Sequence, residues 1–404
     1  MLENYLNIHD VKEIRARSLV YFGCGAIAKM ADIAVALKAK GIDRVLIVSS
    51  KSAYKTSGAW EPTKKGLDAG GVAWKLFDQV TPNPDTDSID AATAAAREFG
   101  AKAIIGIGGG SPIDVAKSVA ILMEYPDQTA ESLYEWKFAA EKALPIVAVN
   151  LTHGTGTEAD RFAVASIESK HYKPAIAGEP LYPLYSIDDP ELMLSMPKQQ
   201  IMATTVDAVN HVVEAATSKV TNPFAITLAR EVIALAVNYL PAAMENPQDL
   251  VARYHLAYAA LLGGISFDNG FLHYTHALEH PLSGMNPKVI HGIGLGILLP
   301  AVIRNIYQNP ASGKVLADIL APIVPGLTGD QSEADKAADG VEKWLAGVGI
   351  DQKLADEGFT ESDLDHLTDL VFETPSLAVL LSVAPTEATR EAVAKIYRDS
   401  FKRA

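Results

Sequence analysis

Ala101-Lys-Ala-Ile-Ile-Gly-Ile107, continued by Gly108-Gly-Gly-Ser-Pro-Ile-Asp-Val-Ala-Lys117, is the stretch that decides the fold of this 404-residue chain. The first part is a short β-branched run, which is typical of a buried strand. In the second part, Ser111 is a good N-cap and Pro112 suits the first position of a helix. The three glycines allow a ligand to approach the backbone closely, and N–H groups at a helix start bind anions. The stretch therefore predicts a strand, a phosphate-binding turn and a helix.

The rest of the first half repeats this alternation of strands and helices. Residues 45–49 and 144–149 read as further buried strands, and residues 60–69 read as a helix between them. Strands that alternate with helices of this length imply right-handed crossovers and a parallel sheet. The amino-terminal half is therefore predicted to be an α/β domain.

From about residue 188 onward the pattern changes to alanine and leucine at helical spacing, as in residues 225–237. Almost no strand signal remains there, so we expect this half to be nearly all helical. Residues 329–358 are polar and rich in aspartate, which suggests a solvated helical hairpin. The length of the chain favours two domains, and we predict an α/β dinucleotide-binding domain over residues 1–188 and an all-α metal-binding and substrate domain over residues 189–404.

Composition excludes several classes of function. The net charge of −14 argues against nucleic acid as a partner, because such proteins need a basic surface. Apolar runs such as residues 293–303 are too short to cross a membrane, and residues 1–10 lack the order of a signal peptide. The single cysteine, Cys24, excludes an intrachain disulfide and a thiolate-rich zinc site. We expect a cytoplasmic protein without a membrane or nucleic-acid partner.

A second glycine motif, Gly23-Cys-Gly-Ala-Ile-Ala28, satisfies the dinucleotide fingerprint literally. The fingerprint needs an acidic residue at the end of the next strand, but Ser49, Ser50 and Lys51 stand there. We therefore interpret residues 23–28 as a tight turn. A third run, residues 150–158, offers hydroxyls and glycines that suit contacts to the ribose and nicotinamide of a nucleotide.

Five polar residues have the spacing of a metal site. Asp207 and His211 are four residues apart, as are His276 and His280, and such pairs share one face of a helix. His291 follows after a short loop. Any single histidine is commonly a core residue, but one carboxylate with several imidazoles suits Fe(II) or Zn(II). The spacing therefore predicts a divalent metal site where two helices and a loop converge.

Taken together, these motifs resemble the iron-containing (group III) alcohol dehydrogenases, which have a dehydroquinate synthase-like architecture. The resemblance covers nearly the whole chain, and the following motifs carry it: Gly108-Gly-Gly-Ser-Pro-Ile-Asp-Val-Ala-Lys117, Gly154-Thr-Gly-Thr-Glu158, Asp207-Ala-Val-Asn-His211-Val-Val-Glu-Ala215, His276-Ala-Leu-Glu-His-Pro-Leu282 and His291-Gly292. The resemblance implies a metal held in a cleft between the two domains, with Asp207, His211, His276 and His291 as its ligands. His280 matches a histidine that lies near the substrate, and no ligand of the family matches His273.

The resemblance also implies contacts to a nicotinamide cofactor. They would fall on Asn83, Gly109, Gly110, Ser111, Thr152, Thr155 and Lys173, to which we add Asp114, near the start of the predicted helix, and Ser50. Many NAD-preferring relatives carry an aspartate where Ser50 stands, able to repel a 2′-phosphate. Its absence favours NADP(H) over NAD(H).

The activity implied is metal-assisted hydride transfer between NAD(P)(H) and a small primary alcohol or its aldehyde, with His280 or bound water relaying the proton. Fe(II) is the expected metal and Zn(II) is possible, and a homodimer or larger homo-oligomer is expected. Three alternatives stay open: a zinc glycerol-type polyol dehydrogenase, a sugar-phosphate cyclase that uses NAD transiently, and a nucleotide-binding protein without turnover. The cyclase would need a cluster of lysines and arginines, which the sequence around residues 207–291 lacks.

Overall fold

The computed structural model describes residue 6 and residues 10–402, so the interpretation of residues 1–10 falls largely outside the described residues. In the described part the strands are Val20–Phe22 (β1), Arg44–Ser50 (β2), Ala73–Val80 (β3), Ala103–Gly108 (β4), Ile146–Asn150 (β5), Phe162–Val164 (β6), Ala175–Ala177 (β7) and Tyr185–Asp188 (β8). The helices of the same half are Met30–Ala39 (α1), Ala53–Thr56 (α2), Trp60–Ala69 (α3), Thr86–Phe99 (α4), Gly110–Glu124 (α5) and Ala130–Tyr134 (α6).

Six strands form one parallel sheet in the order β1-β8-β5-β4-β2-β3. Alternate residues of β2 face opposite sides: Val45 and Ile47 pack with α1 and α3, whereas Leu46 and Val48 pack with α4 and α5. The chain therefore leaves β2 toward one face and leaves the neighbouring β4 toward the other. In open α/β sheets such a switch point opens a crevice at the carboxyl ends of the strands. Here that crevice lies between the ends of β2 and β4.

The predicted strands and the helix at residues 60–69 are confirmed, but the start of α5 is not where the sequence placed it. The helix begins at Gly110, and Gly109 rather than Ser111 is its N-cap. A helix that begins at Gly110 still tolerates Pro112, because the first N–H groups of a helix have no intrahelical partner. Position 108 needs glycine, since a Cβ there would lie 2.3 Å from the Pro112 Cγ. Gly108 also has a φ of +159°. The strand passes into the helix through Gly109 alone, and Ser111 and Pro112 lie within the first helical turn.

The second half contains no strand among the described residues, as predicted. Its helices are Lys198–Thr217 (α7), Pro223–Glu245 (α8), Leu250–Gly270 (α9), Tyr274–Met285 (α10), His291–Ile306 (α11), Pro310–Ile319 (α12), Ala334–Val348 (α13), Asp363–Glu373 (α14), Leu377–Ser382 (α15) and Arg390–Asp399 (α16). The largest apolar core of the molecule joins these helices. In α7 nearly every residue from Ile201 to Thr217 is buried, so this helix lies at the centre of the half.

The prediction of a solvated helical hairpin over residues 329–358 is wrong. The segment contains one long helix, α13, whose Ala334, Ala338, Val341 and Leu345 are buried in the main core. These residues follow the spacing of one helix face, and α13 packs on α11. The polar composition described only the outer face of the helix.

Two helices, α8 and α9, are long and apolar enough to cross a membrane by length and composition alone. In the structure they pack against each other and against α7, and 50 % and 67 % of their most apolar windows are buried inside the protein. Such burial is typical of core helices, which pass the same compositional test.

Candidate functional site

A cleft with a volume of about 670 Å³ opens between the parallel sheet and the helical half. All the candidate site residues selected from the sequence lie on its wall. They are Ser50, Asn83, Gly109, Gly110, Ser111, Asp114, Thr152, Thr155, Lys173, Asp207, His211, His276, His280 and His291. The cleft meets the sheet at the switch point between β2 and β4. The predicted residues therefore share one cavity, although they are separated by up to 241 positions, from Ser50 to His291.

The helical side of the cleft carries the predicted metal ligands. Asp207 and His211 lie one turn apart on α7, His276 is in α10, and His291 is the first residue of α11. Asp207 Oδ1 lies 3.2 Å from His211 Nε2, 3.5 Å from His276 Nε2 and 3.8 Å from His291 Nε2. Potential ligand atoms of Asp207, His276 and His291 all lie within 4.8 Å of one another. His211 approaches Asp207 but does not belong to that tightest group.

The charges of this cluster depend on one another. Burial alone would raise the pKa of the Asp207 carboxyl, but His211, His276 and His291 outweigh burial and hold it below its usual value. Burial would likewise lower the pKa of His276, but Glu214 and Asp207 raise it to about 9. For His211 burial prevails and lowers the pKa to about 4. One central carboxylate therefore holds several imidazoles around it.

These residues fit a divalent metal. Asp207 Oδ1 and His276 Nε2 are buried and have no hydrogen-bond partner in the described part of the chain, although they face each other. A buried polar atom without a partner is costly, and a cation bound to both atoms would remove that cost. One carboxylate oxygen and imidazole nitrogens are a ligand set that suits Fe(II) and Zn(II).

His273 is not part of this cluster, in agreement with the sequence interpretation. It is the N-cap of α10, where its Nδ1 accepts a hydrogen bond from the Tyr274 N–H at 2.7 Å. Its Nε2 lies 2.9 Å from the Thr217 hydroxyl. Its Nδ1 therefore caps the start of α10, and its Nε2 holds α10 against α7.

His280 lies beside the cluster, with its ring centre 5.8 Å from that of His291 and 6.4 Å from that of His276. Burial, and then the charge of Lys173, lower its pKa well below the usual value. Its Nδ1 is buried and has no hydrogen-bond partner among the described residues. His280 is therefore a neutral imidazole on the cleft wall with one nitrogen unused.

The sheet side of the cleft is built from backbone. A Cβ at Gly109 would lie 2.7 Å from Thr152 Oγ1, and a Cβ at Gly110 would lie 2.8 Å from Thr155 Cγ2. The N-cap of α5 makes no side-chain hydrogen bond to the helix start. The first N–H groups of a helix have no intrahelical partner, and they attract phosphate. This corner therefore fits the pyrophosphate of a dinucleotide.

A buried ion pair supports this corner, and it was not predicted from the sequence. Lys117 Nζ lies 2.8 Å from Asp160 Oδ1 and donates to Thr157 Oγ1 at 2.9 Å. Thr157 in turn donates to Asp114 Oδ1, and the Val164 N–H donates to Asp114 Oδ2. Both oxygens of Asp114 are thus bound within the protein. The signal was the lysine seven residues after Gly110, on the buried side of α5.

Three other predicted cofactor residues have partners of different kinds. Asn83, with a φ of +51°, donates from Nδ2 to the Pro287 carbonyl at 3.2 Å and so joins the two halves. Lys173 Nζ lies 3.7 Å from a carboxylate oxygen of Glu279. Ser50 ends β2 on the cleft wall. Its neighbour Ser49 is buried and donates to the Ile107 carbonyl, so that hydroxyl is used by the sheet.

The literal fingerprint at residues 23–28 is a tight turn, as interpreted. Gly23 and Gly25 have positive φ values of 134° and 78°. The N–H groups of Gly25 and Ile27 donate to the two carboxylate oxygens of Asp189, each at 3.1 Å. An internal carboxylate therefore occupies the place that a phosphate would take.

An apolar wall extends from the predicted metal ligands, and it was not predicted from the sequence. Phe267 lies 4.6 Å from His211 between ring centres, Phe162 lies 5.4 Å from Phe267, and Phe271 lies 6.0 Å from Phe162. These rings, with Leu272, line the cleft. They come from β6, from the end of α9 and from the loop after α9, so spacing within the sequence gave no signal for them.

Comparisons with known proteins agree with this architecture. The family described as iron-containing alcohol dehydrogenase matches residues 18–190. The family described as Fe-containing alcohol dehydrogenase, C-terminal, matches residues 201–401. Together the two matches span both halves of the chain.

Individual relatives cover almost the full length. The chain is 56 % identical over 401 residues to the long-chain primary alcohol dehydrogenase AdhA of Thermoanaerobacter ethanolicus, covering 99 % of this chain and 100 % of that protein. It is 31 % identical to the 1,3-propanediol dehydrogenase of Klebsiella pneumoniae, with 94 % and 96 % covered. Among solved structures, the NADH-dependent butanol dehydrogenase A of Thermotoga maritima superimposes with a TM-score of 0.89 at 28 % identity, covering 97 % of this chain and 99 % of that one.

Proposed function

We propose that this chain, an alcohol dehydrogenase that belongs to the iron-containing alcohol dehydrogenase family, interconverts primary aldehydes and alcohols with NADP(H) in preference to NAD(H). The family implies an iron-type metal and a nicotinamide cofactor. We further propose Asp207, His211, His276 and His291 as the metal ligands. One observation carries the proposal. Asp207 Oδ1 has no hydrogen-bond partner among the described residues and faces imidazole nitrogens, and it lines the same cleft as the start of α5, which no side chain caps.

When bound, the metal supplies Lewis acidity at the substrate oxygen, worth several kcal/mol, and the nicotinamide carries the hydride. The protein provides the orientation. The glycine turn at Gly109 and the hydroxyls of Thr152 and Thr155 bind the cofactor at the sheet end. His280 lies on the cleft wall beside the proposed ligands, where its imidazole or a bound water would relay the proton.

The apolar wall supports a linear aliphatic substrate. Phe162, Phe267 and Phe271 form a continuous path that leads away from His211, and each buried CH₂ of a substrate would gain about 0.8 kcal/mol. The relative of 56 % identity is named a long-chain primary alcohol dehydrogenase. We therefore propose that the substrates extend from small aldehydes to longer linear chains, a broader range than the small alcohols predicted from the sequence.

The cofactor preference rests on the cleft wall near Ser50. The carboxylates among the lining residues are Asp114, Asp160 and Asp207. The first two belong to the buried Lys117 network and the third to the imidazole cluster. No carboxylate of the described cleft wall therefore lies beside Ser50 to repel a 2′-phosphate, and the exposed Lys51 follows it.

The decisive experiment is a cofactor-oxidation assay on metal-stripped protein reconstituted anaerobically with Fe(II) or Zn(II). NADPH and NADH are each offered with butanal and with octanal. We expect turnover only after metal is added, a higher kcat/KM with NADPH, and a higher kcat/KM with octanal than with butanal.

Each part of the proposal can fail separately in this assay. Better use of NADH would overturn the cofactor preference, and octanal turning over more slowly than butanal would overturn the extended chain. Nucleotide binding without turnover under either metal would favour a binding protein that has lost catalysis.

A further inference from the structure

Glu279, a residue to which neither the sequence motifs nor the proposed ligand set gives a role, contacts both halves of the cleft. It is fully buried in α10, three residues after His276. Its Oε2 accepts a hydrogen bond from His291 Nδ1, and its Oε1 accepts one from the Ser283 hydroxyl. The same Oε2 lies 3.7 Å from Lys173 Nζ, which belongs to the amino-terminal half.

The bond to His291 fixes the orientation of a proposed metal ligand. A carboxylate that accepts from Nδ1 selects the tautomer in which Nε2 is free to bind a metal, and it holds the ring in place. Accordingly, His291 Nε2 points to the cluster, 3.8 Å from Asp207 Oδ1. The opposing helix leaves room for this arrangement, because a Cβ at Gly294 would lie 3.0 Å from Glu279 Cγ and 3.2 Å from its Oε1.

The contact with Lys173 connects the same carboxylate to the sheet side of the cleft. Lys173 is buried and lies on the cleft wall. An ammonium group with few water contacts needs a compensating charge, and Glu279 is the carboxylate that the structure places beside it. The position of Lys173 therefore depends on the position of Glu279.

Glu214 provides an internal comparison. It is also fully buried, and its Oε2 accepts from Nδ1 of another proposed ligand, His276. Its Oε1 accepts from the backbone N–H groups of His273 at 3.2 Å and Thr275 at 2.5 Å. All of these partners belong to the helical half. Glu214 thus holds a ligand as Glu279 does, but it contacts none of the cofactor-side residues named above.

We propose that Glu279 is a positioning residue that couples metal binding to cofactor binding, because it orients the metal ligand His291 and the cofactor-side Lys173 at the same time. The proposal rests on the function proposed above. A metal held by His291 would order the imidazole ring and the Glu279 carboxylate behind it, and Lys173 would be ordered with them. Cofactor binding then costs less free energy, because Lys173 is already ordered, and the affinity for the cofactor rises. By linkage the cofactor strengthens metal binding by the same factor.

The test measures binding without turnover. NADPH affinity, and for the wild type also NADH affinity, is determined by fluorescence titration of the metal-stripped full-length protein, with and without saturating Zn(II). Zn(II) affinity is determined by competition with a chelator. The variants are Glu279→Gln, its matched control Glu214→Gln, and Lys173→Met, and circular dichroism checks the fold of each.

We expect Zn(II) to tighten NADPH binding at least fivefold in the wild type and in Glu214→Gln, since couplings of 5- to 150-fold are typical. Both glutamine variants should bind Zn(II) roughly 10–100-fold more weakly, as is usual when the partner of a ligating histidine is lost. In Glu279→Gln the Zn(II) effect on NADPH should vanish. Lys173→Met should also lose it, while Zn(II) affinity stays within about twofold of the wild type.

Three results would overturn the proposal. NADPH affinity in the wild type that is independent of Zn(II) shows that no coupling exists, although the proposed function then stands. Coupling that persists in both Glu279→Gln and Lys173→Met shows that another path carries it. Wild type that binds neither nicotinamide cofactor overturns the coupling and the proposed function together. If Glu279→Gln does not fold, Lys173→Met alone decides whether another path carries the coupling.

Discussion

The two ends of the cleft are built in opposite ways. At the sheet end, the binding surface exists because side chains are missing: Gly109 and Gly110 let Thr152 and Thr155 approach the backbone. At the helical end, the predicted metal site exists because ionisable side chains are buried against one another around Asp207. A surface made of backbone is sensitive to added volume, whereas a cluster of charges is sensitive to the loss of one partner. Substitutions should therefore separate cofactor binding from metal binding.

The largest expected effect is that of His276→Ala. It removes a proposed ligand and leaves Glu214 buried without its imidazole partner. We expect kcat/KM to fall on the order of 10³-fold, since metal assistance is worth several kcal/mol, and Zn(II) affinity to fall with it. Steady-state kinetics and chelator competition measure the two losses. NADPH binding to the metal-free variant should match that of the metal-free wild type, and the exposed His366→Ala serves as the control. Retained metal and activity would remove His276 from the site.

Gly109→Ala tests the other end of the comparison. The added methyl would lie 2.7 Å from Thr152 Oγ1, and overpacking costs about 1–3 kcal/mol. We expect NADPH affinity to fall roughly 10–100-fold while Zn(II) affinity in the absence of NADPH is unchanged, as measured by fluorescence and chelator titrations. Gly347→Ala in α13, where a Cβ meets no atom within 4 Å, is the matched control. An equal loss of metal affinity in Gly109→Ala would contradict the separation of the two ends.

The buried network behind the glycines should appear in the pH dependence of stability. Burial raises the pKa of the Asp114 carboxyl from 3.8 to about 6. Between these values the folded protein keeps a proton that the unfolded chain releases, so this group lowers the free energy of unfolding as the pH rises. Asp114→Asn cannot ionise. We therefore expect its stability, relative to the wild type, to increase by about 2 kcal/mol between pH 4 and pH 7, measured by urea unfolding at each pH. A constant difference across this range would show that Asp114 ionises normally.

The smallest expected effect concerns the cofactor preference. Ser50→Asp places a carboxylate at the end of β2, where it would repel a 2′-phosphate and bind ribose hydroxyls. We expect kcat/KM with NADPH to fall about tenfold and the ratio of NADH to NADPH use to rise, since an exposed charge pair is worth about 1 kcal/mol. Ser52→Asp, which adds the same charge at an exposed position off the cleft wall, is the control. An unchanged ratio would show that Ser50 does not face the adenosine ribose.

Local patterns identified most of the elements and nearly the whole polar site. The β-branched runs predicted β2, β4 and β5, because buried parallel strands need apolar side chains on both faces. The spacing of Asp207 and His211, and of His276 and His280, followed directly from the period of a helix. The local pattern gave a wrong prediction at residues 329–358. Their polar composition suggested a solvated helical hairpin, but one face of α13 is solvated and the other joins the core.

Tertiary structure alone decided which of these residues act together. Residue types and spacing already separated the two glycine motifs, but only the fold shows that Asp189 occupies the turn at residues 23–28 while Gly109 and Gly110 face the cleft. The contact of Glu279 with Lys173 and the path of aromatic rings from His211 join segments that are far apart in the chain, and the contact of Glu279 with His291 joins two consecutive helices. Periodicity reports only neighbours within one helix or strand. Contacts between elements depend on how the whole chain packs, so no pattern within a single segment contains them.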